Sequence, residues 1–191
     1  VIKKMGDKLQ AKEIAKKVNI PTLDTVEKVS LAKKIGFPLM IKAAAGGGGK
    51  GMRIVKDSAS LKDAASAAKR EALSGFGDDR IFFERYIEKS RHIEVQILGD
   101  DKNVVHLGER ECSIQRRHQK IIEESPSRRL SEELRLNICE DAKRIAQAIK
   151  YTSAGTVEFL LDDKTGEYWF LEVNTRLQVE HPVTAVSYTH L

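Results

Sequence analysis

The chain has 191 residues, 41% hydrophobic and 32% charged, which suits one or two compact lobes with a real core and excludes a disordered or fibrous chain. A net charge of +5 with scattered cations and only 6% aromatic residues argues against nucleic acid as the partner and fits an acidic protein or a phosphate-bearing small molecule. No apolar run approaches the roughly 18 residues of a membrane helix, the opening VIKKMGDK has no signal-peptide character, and Cys112 and Cys139 make neither a disulfide framework nor a zinc site.

Along the chain, residues 7–18 place Leu9, Ile14 and Val18 at a loose helical spacing, and the stretch NIPT breaks it. Residues 24–35 read as a second short helix ending at Gly36-Phe37-Pro38. Strand-like runs at 38–44 and 52–57 flank a glycine loop, and an alanine-rich helix runs from Ser58, its expected N-cap, to Leu73. Strands follow at 81–87, 92–100 and 103–113. The clearest helix is 131–149, opened by Ser131, with Ile138, Ala142, Ile145 and Ile149 on one face. GTVEFLLDD and EYWFLEVN close the pattern as two strands around the turn DKTG. This order predicts an α+β fold with mainly antiparallel sheets.

The loop GGGGKG matches G-x-G-x-x-G at Gly46, Gly48 and Gly51. A dinucleotide fingerprint needs a helix after the loop, and a Walker A loop needs Ser or Thr after its lysine. Here a strand-like run follows, and Gly51 follows Lys50. The remaining readings are a plain hairpin tip or a flap whose bare backbone N–H groups cover a triphosphate. So much glycine is costly to order, and with Lys42 just before the loop the flap is the favoured one.

A second constellation lies near the C-terminus. Period-two alternation through EYWFLEVNTRLQVEHP puts Tyr168, Phe170, Glu172, Asn174, Arg176, Gln178 and Glu180 on one face, and Trp169, Leu171, Val173, Leu177 and Val179 on the core face. Glu158 interrupts the apolar run TVEFLL on the neighbouring strand. Glu158, Glu172 and Asn174 thereby form either a magnesium cradle or an ordinary surface pairing. HIEVQIL sets His92, Glu94 and Gln96 opposite Ile93, Val95 and Ile97, and ECSIQRRHQK gathers Arg116, Arg117, His118 and Lys120.

Taken together, MGDK, IKAAAGGGGKGMR, FFERYIEKSRHIEVQILGD, ERECSIQRRHQKIIEESP, AGTVEFL and FLEVNTRLQVEHPVT resemble, in order from Met5 to Thr184, the biotin carboxylase part of biotin-dependent carboxylases. The resemblance implies an ATP-grasp fold with antiparallel sheets, flanking helices and a small lid subdomain carrying a glycine-rich flap. It divides the chain into an entering helix or linker at 1–20, the lid at 21–86 and a C-terminal subdomain at 87–191. It implies ATP, magnesium or manganese, and bicarbonate, which form carboxyphosphate and then carboxylate biotin on a carrier domain. By position, Lys8 and Lys42 match phosphate-contacting lysines, and Gly48 and Gly49 the flap. Glu84, Arg85 and Ile87 match the adenine border, and His92, Gln115 and His118 the nucleotide pocket. Glu158, Glu172 and Asn174 match the metal site. Lys120, Arg176, Gln178, Val179 and Glu180 match the bicarbonate pocket, with Glu180 as its general base and Arg176 and Lys120 beside it in the catalytic set.

Expected partners are a biotin carboxyl carrier domain and a carboxyltransferase domain or subunit, within a homodimeric parent, with no nucleic acid and no membrane. The expected compartment is the cytoplasm, or the mitochondrial matrix in a eukaryote. The family carries a lobe before MGDK and a longer part after HPVT, so a fragment truncated at both ends is expected. The alternatives are another ATP-grasp ligase of the carbamoyl-phosphate synthetase type, or an ATP-binding fragment with no activity alone.

Overall fold

The computed structural model describes residues 5–46, 49–116 and 119–188. The chain forms two compact units, one of Val1–Thr22 with Lys89–Leu191 and the other of Leu23–Glu88. Among the described residues no helix is long and apolar enough to cross a membrane.

The larger unit opens with helix α1 (Lys8–Lys17). Asp7 caps it by accepting from the N–H groups of Leu9 and Gln10 at 3.0 and 3.1 Å, which gives the aspartate of MGDK a local reason. Its face of Ala11 and Ala15, with Ile14 and Val18 partly buried beside it, packs into the same core as the sheet.

That sheet contains β5 (Ser90–Gly99), β6 (Val104–Arg116), β7 (Gln119–Glu124), β8 (Ser153–Asp162) and β9 (Tyr168–Asn174), in the order β7-β6-β5-β8-β9. Every neighbouring pair is antiparallel. Ile93, Val95 and Ile97 meet Val157, Phe159 and Phe170 in the core, where Phe159 stands edge-on to Tyr168 and Phe170 with ring centroids 5.8 and 6.3 Å away. Helix α4 (Glu132–Ala148) covers this face with Ile138, Ala142 and Ile145. Ser131 caps it as expected, accepting from Leu134 N–H at 3.2 Å.

The smaller unit holds β1 (Thr25–Val26), α2 (Val29–Ala32), β2 (Leu39–Ala43), β3 (Arg53–Val55), α3 (Leu61–Phe76) and β4 (Ile81–Arg85), its strands ordered β1-β4-β2-β3. The helix expected over 24–35 is replaced by β1 and one short turn of helix. Thr25 and Val26 are β-branched and pair with Glu84 and Phe83, so sheet pairing overrides the helical spacing. Ser58 is not the cap of α3. The Asp57 carboxylate collects the N–H groups of Ala59 and Ser60, both at 2.9 Å, and the helix starts at Leu61.

Candidate functional site

The polar face of the larger sheet carries one continuous row of charge. Arg110 on β6 pairs with Glu94 on β5, Glu94 with Glu158 on β8, and Glu158 with Glu172 on β9. Directly opposed residues stand roughly 4.5–5.5 Å apart, so three adjacent carboxylates repel unless cations reach them. Each is reached. Arg110 donates from Nε to Glu94 at 3.0 Å. The Lys120 ammonium lies against Glu94, 3.6 Å from Glu158 and 2.8 Å from Glu180. His92 Nε2 is 2.7 Å from Glu158, with its Nδ1 3.1 Å from Gln115 Nε2. Lys8 meets Glu172 at 2.7 Å.

Glu172 joins this row through a bulge that strict alternation does not foresee. Phe170 faces Phe159 while Glu172 faces Glu158, so one extra residue lies on β9 between them. Phe170 and Val173 are therefore both core, at 0% and 6% exposure, and Trp169 and Leu171 are only half-buried. Tyr168 and Phe170 belong to the apolar face, not to the face of the acids. The strand also stops at Asn174 instead of running on to Glu180. Residues 175–180 turn, and α5 (His181–Ser187) begins with a proline in its first turn. In that turn Gln178 is buried, Glu180 half-buried, and Arg176 and Val179 exposed, so these residues do not continue the polar face of the strand.

The structure thus connects Lys8, His92, Gln115, Lys120, Glu158, Glu172, Asn174 and Glu180 through ion pairs, hydrogen bonds and strand register. Gln178 joins them through Arg110. In the smaller unit Lys42 is ion-paired with buried Glu84, Arg85 is exposed and Ile87 is 7% exposed. The glycine turn joins β2 to β3, antiparallel from Leu39↔Val55 to Ile41↔Arg53, so it is a strand–loop–strand turn and not the start of a helix. Gly46, Gly49 and Gly51 have φ of 81°, 76° and 72°. A Cβ on Gly46 would lie 2.1 Å from the Phe76 ring. Gly48 and His118 lie outside the described residues.

Sequence reasoning did not assign Glu94, Arg110, Gln96, Thr156 or Thr184. All five are fully buried polar residues joined by hydrogen bonds. The available signal was the alternation already noted for Glu94 and Gln96 with His92.

The electrostatics follow the geometry. Burial alone would raise the Glu158 carboxyl, but His92 and Lys120 outweigh it and hold it at about 2. Burial raises Glu94, and the neighbouring Glu158 charge adds to that. Burial works against the Lys120 ammonium, yet Glu158 and Glu94 keep it well above the usual lysine range. Glu180 is lowered despite its burial because Lys120 donates to it, so it is a carboxylate at neutral pH.

For His92 burial works against the charge, but Glu158 raises its pKa above the ordinary 6.5. Such a group adds stability below its unfolded pKa and loses it as pH rises through the folded one. The melting temperature of the unsubstituted chain is therefore expected to exceed that of His92→Gln by most below about pH 6.5, the gap closing as pH rises above it. Parallel curves from thermal melts across that range would contradict the pairing.

Glu158 and Glu172, with the Asn174 side-chain amide at the Glu158 carboxylate, offer hard oxygen donors on adjacent strands. That donor set suits magnesium or manganese and not a thiolate-seeking metal. A second convergence brings one ligand atom each of His92, Glu94 and Glu158 within 4.8 Å of one another. Lys120 already stands against both carboxylates of that trio.

Comparison with known proteins gives this geometry its place. Residues 6–188 match the family of the carbamoyl-phosphate synthase L chain, ATP binding domain. The chain is 53% identical to the mitochondrial propionyl-CoA carboxylase alpha chain of Homo sapiens, over 96% of this chain and 26% of that protein. Among solved structures it is similar to the biotin carboxylase of Campylobacter jejuni in complex with a βγ-ATP compound, with TM-score 0.93, 46% identity, and 97% of this chain and 43% of that one covered. It is also similar to the biotin carboxylase domain dimer of Hydrogenobacter thermophilus 2-oxoglutarate carboxylase with MgADP, ADP and bicarbonate, with TM-score 0.92, 45% identity, and coverage of 97% and 43%. The chain spans about a quarter of the human relative's length. Antiparallel sheets with flanking helices, as found here, are the ATP-grasp architecture of these neighbours, and the chain belongs to the carbamoyl-phosphate synthase L chain ATP-binding family.

Proposed function

We propose that this chain binds magnesium-ATP and activates bicarbonate as carboxyphosphate, the first half of a biotin carboxylase reaction. The observation that carries the reading is the Lys120 ammonium shared by Glu94, Glu158 and Glu180 at the end of a three-carboxylate row. A fixed cation beside an ionised carboxylate is what bicarbonate needs, with the cation for its oxyanion and the base for its proton. Glu180 takes the bicarbonate proton, the freed oxygen attacks the γ-phosphorus of ATP, and ADP leaves with the electrons of the broken P–O bond. Arg176 is exposed and donates to the Leu177 carbonyl at 3.3 Å, so its planar fork can turn to the anion. Glu158, Glu172 and Asn174 are the residues proposed to hold magnesium, which neutralises charge on the phosphates when bound.

In the smaller unit we assign Lys42, Gly48 and Gly49 to the phosphates, and Glu84, Arg85 and Ile87 to the adenine border. Lys8, His92, Gln115 and His118 complete the nucleotide set. Residues 21–86 and 87–191 take the roles of lid and C-terminal subdomain, with 1–20 leading in. Transfer of the carboxyl group to biotin on a carrier domain, a carboxyltransferase partner and a homodimeric parent are proposed for the whole protein. The relatives support this, the Hydrogenobacter thermophilus biotin carboxylase domain being a dimer with bicarbonate. For the compartment we propose the cytoplasm or, in a eukaryote, the mitochondrial matrix, where buried Cys112 and Cys139 stay free thiols.

Calorimetric titration of magnesium-ATP tests the nucleotide part. Lys42→Ala and Glu172→Ala are each expected to weaken binding about tenfold or more. Binding unchanged by Glu172→Ala would remove the metal assignment, and binding unchanged by Lys42→Ala the phosphate assignment.

A further inference from the structure

Arg110 has no role in the reading above, yet among the described residues it is the largest fully buried side chain. Its guanidinium has five N–H donors and meets five acceptor contacts. Nε donates to Glu94 at 3.0 Å. One terminal nitrogen donates to Gln96 at 3.1 Å and Thr184 at 3.2 Å, the other to Thr156 at 3.1 Å and Gln178 at 2.7 Å. Only Glu94 among these acceptors is charged, and Lys120 shares it.

The acceptors come from four places: β5, β8, the turn after β9, and α5. The turn is the telling one. Residues 175–180 lie in neither strand nor helix, and Leu177 and Val179 are 60% and 90% exposed. Its one deeply buried side chain is Gln178 at 3%, and the helix that follows buries Thr184 completely. Both end on Arg110. Apart from the Lys120–Glu180 pair, this is how the turn is tied to the sheet by side chains. A buried ion pair is weak evidence for stability as such, since an apolar replacement often serves as well. Its value is geometric when it fixes one arrangement of a segment that has no backbone ladder of its own.

We infer that Arg110 is a positioning residue: its five-donor fork pegs the Arg176–Glu180 turn and α5 to the sheet and sets Glu94 beside Lys120. The inference rests on the reading of that turn as the bicarbonate pocket, so its test has an arm that needs no reaction. Arg110→Lys keeps the charge but has three donors on one atom, and Arg110→Met keeps the length without donors.

In hydrogen exchange read by mass spectrometry, both variants are expected to speed exchange in residues 176–184 about tenfold, with the core strands β5 and β8 unchanged. Tryptic cleavage after Arg176 should rise in step. In bicarbonate-dependent ADP release, Arg110→Lys should raise the KM for bicarbonate about tenfold and leave that for ATP within about twofold. Unchanged exchange at 176–184, or faster exchange spread evenly over β5 and β8, overturns the peg. If Arg110→Met does not fold, the same readouts on Arg110→Lys decide. Selective loosening with an unchanged bicarbonate KM overturns the positioning role. No bicarbonate-dependent release by the unsubstituted protein overturns the pocket reading instead, and exchange still decides the peg.

Discussion

Glu180→Gln is expected to lower bicarbonate-dependent ATP cleavage on the order of 10²–10⁴-fold while magnesium-ATP binding stays within about threefold. The amide fills the same space and can still accept from Lys120, which lies 2.8 Å from the present carboxylate. It cannot take a proton. Lys120 also keeps Glu180 ionised at neutral pH, so the base is ready without a prior proton loss. Steady-state ADP release at saturating ATP and calorimetry on the same preparation check the prediction together. Equal loss of cleavage and of ATP binding would remove Glu180 from the chemistry and make it a residue of the nucleotide site or of the fold.

Glu94→Ala should give the largest loss of stability, about 3–5 kcal/mol in urea unfolding, because it strands the buried Arg110 cation and takes one carboxylate from Lys120. Glu94 is 0% exposed, accepts from Arg110 at 3.0 Å and faces Lys120. Removing it leaves Arg110 with only neutral acceptors and leaves Lys120 pressed towards Glu158 and Glu180. Glu94→Gln keeps an acceptor for Arg110 and should lose roughly half as much. A loss below about 1 kcal/mol for the alanine variant would place Glu94 in the class of solvent-screened surface pairs, contrary to its burial.

Much of this site was legible in the sequence where the strands are regular. β5 and β8 pair without a break from Ser90↔Asp162 to Gly99↔Ser153, so alternation alone put His92, Glu94 and Gln96 opposite the apolar core residues. Glu158 beside Glu172 was also found, on the polar side as expected, and the misassigned residues were Tyr168 and Phe170, which the bulge turns to the apolar face. A bulge is one residue inserted without a composition signal, and period-two counting carries its error to every later position. Period-two counting was also carried past Asn174, where the strand ends and the chain turns, with Gln178 buried and Arg176 exposed.

Arg110 was missed for another reason. Within ERECS both faces of β6 bury charge, Arg110 towards Glu94, and Glu109 towards Arg135 at 2.9 Å and Tyr188 at 3.1 Å. No apolar side exists there to reveal the orientation, and only the cross-strand register shows it. The two-residue strand β1 was hidden similarly, since its reason for being a strand is β4, over fifty residues later.

The measurement that bears most directly on the central claim is the fate of bicarbonate oxygen. With bicarbonate carrying heavy oxygen, magnesium and ATP, attack of bicarbonate on the γ-phosphorus predicts inorganic phosphate that has gained one labelled oxygen per turnover. ADP release that stays at its bicarbonate-free rate, or phosphate whose new oxygen comes from water, would contradict it.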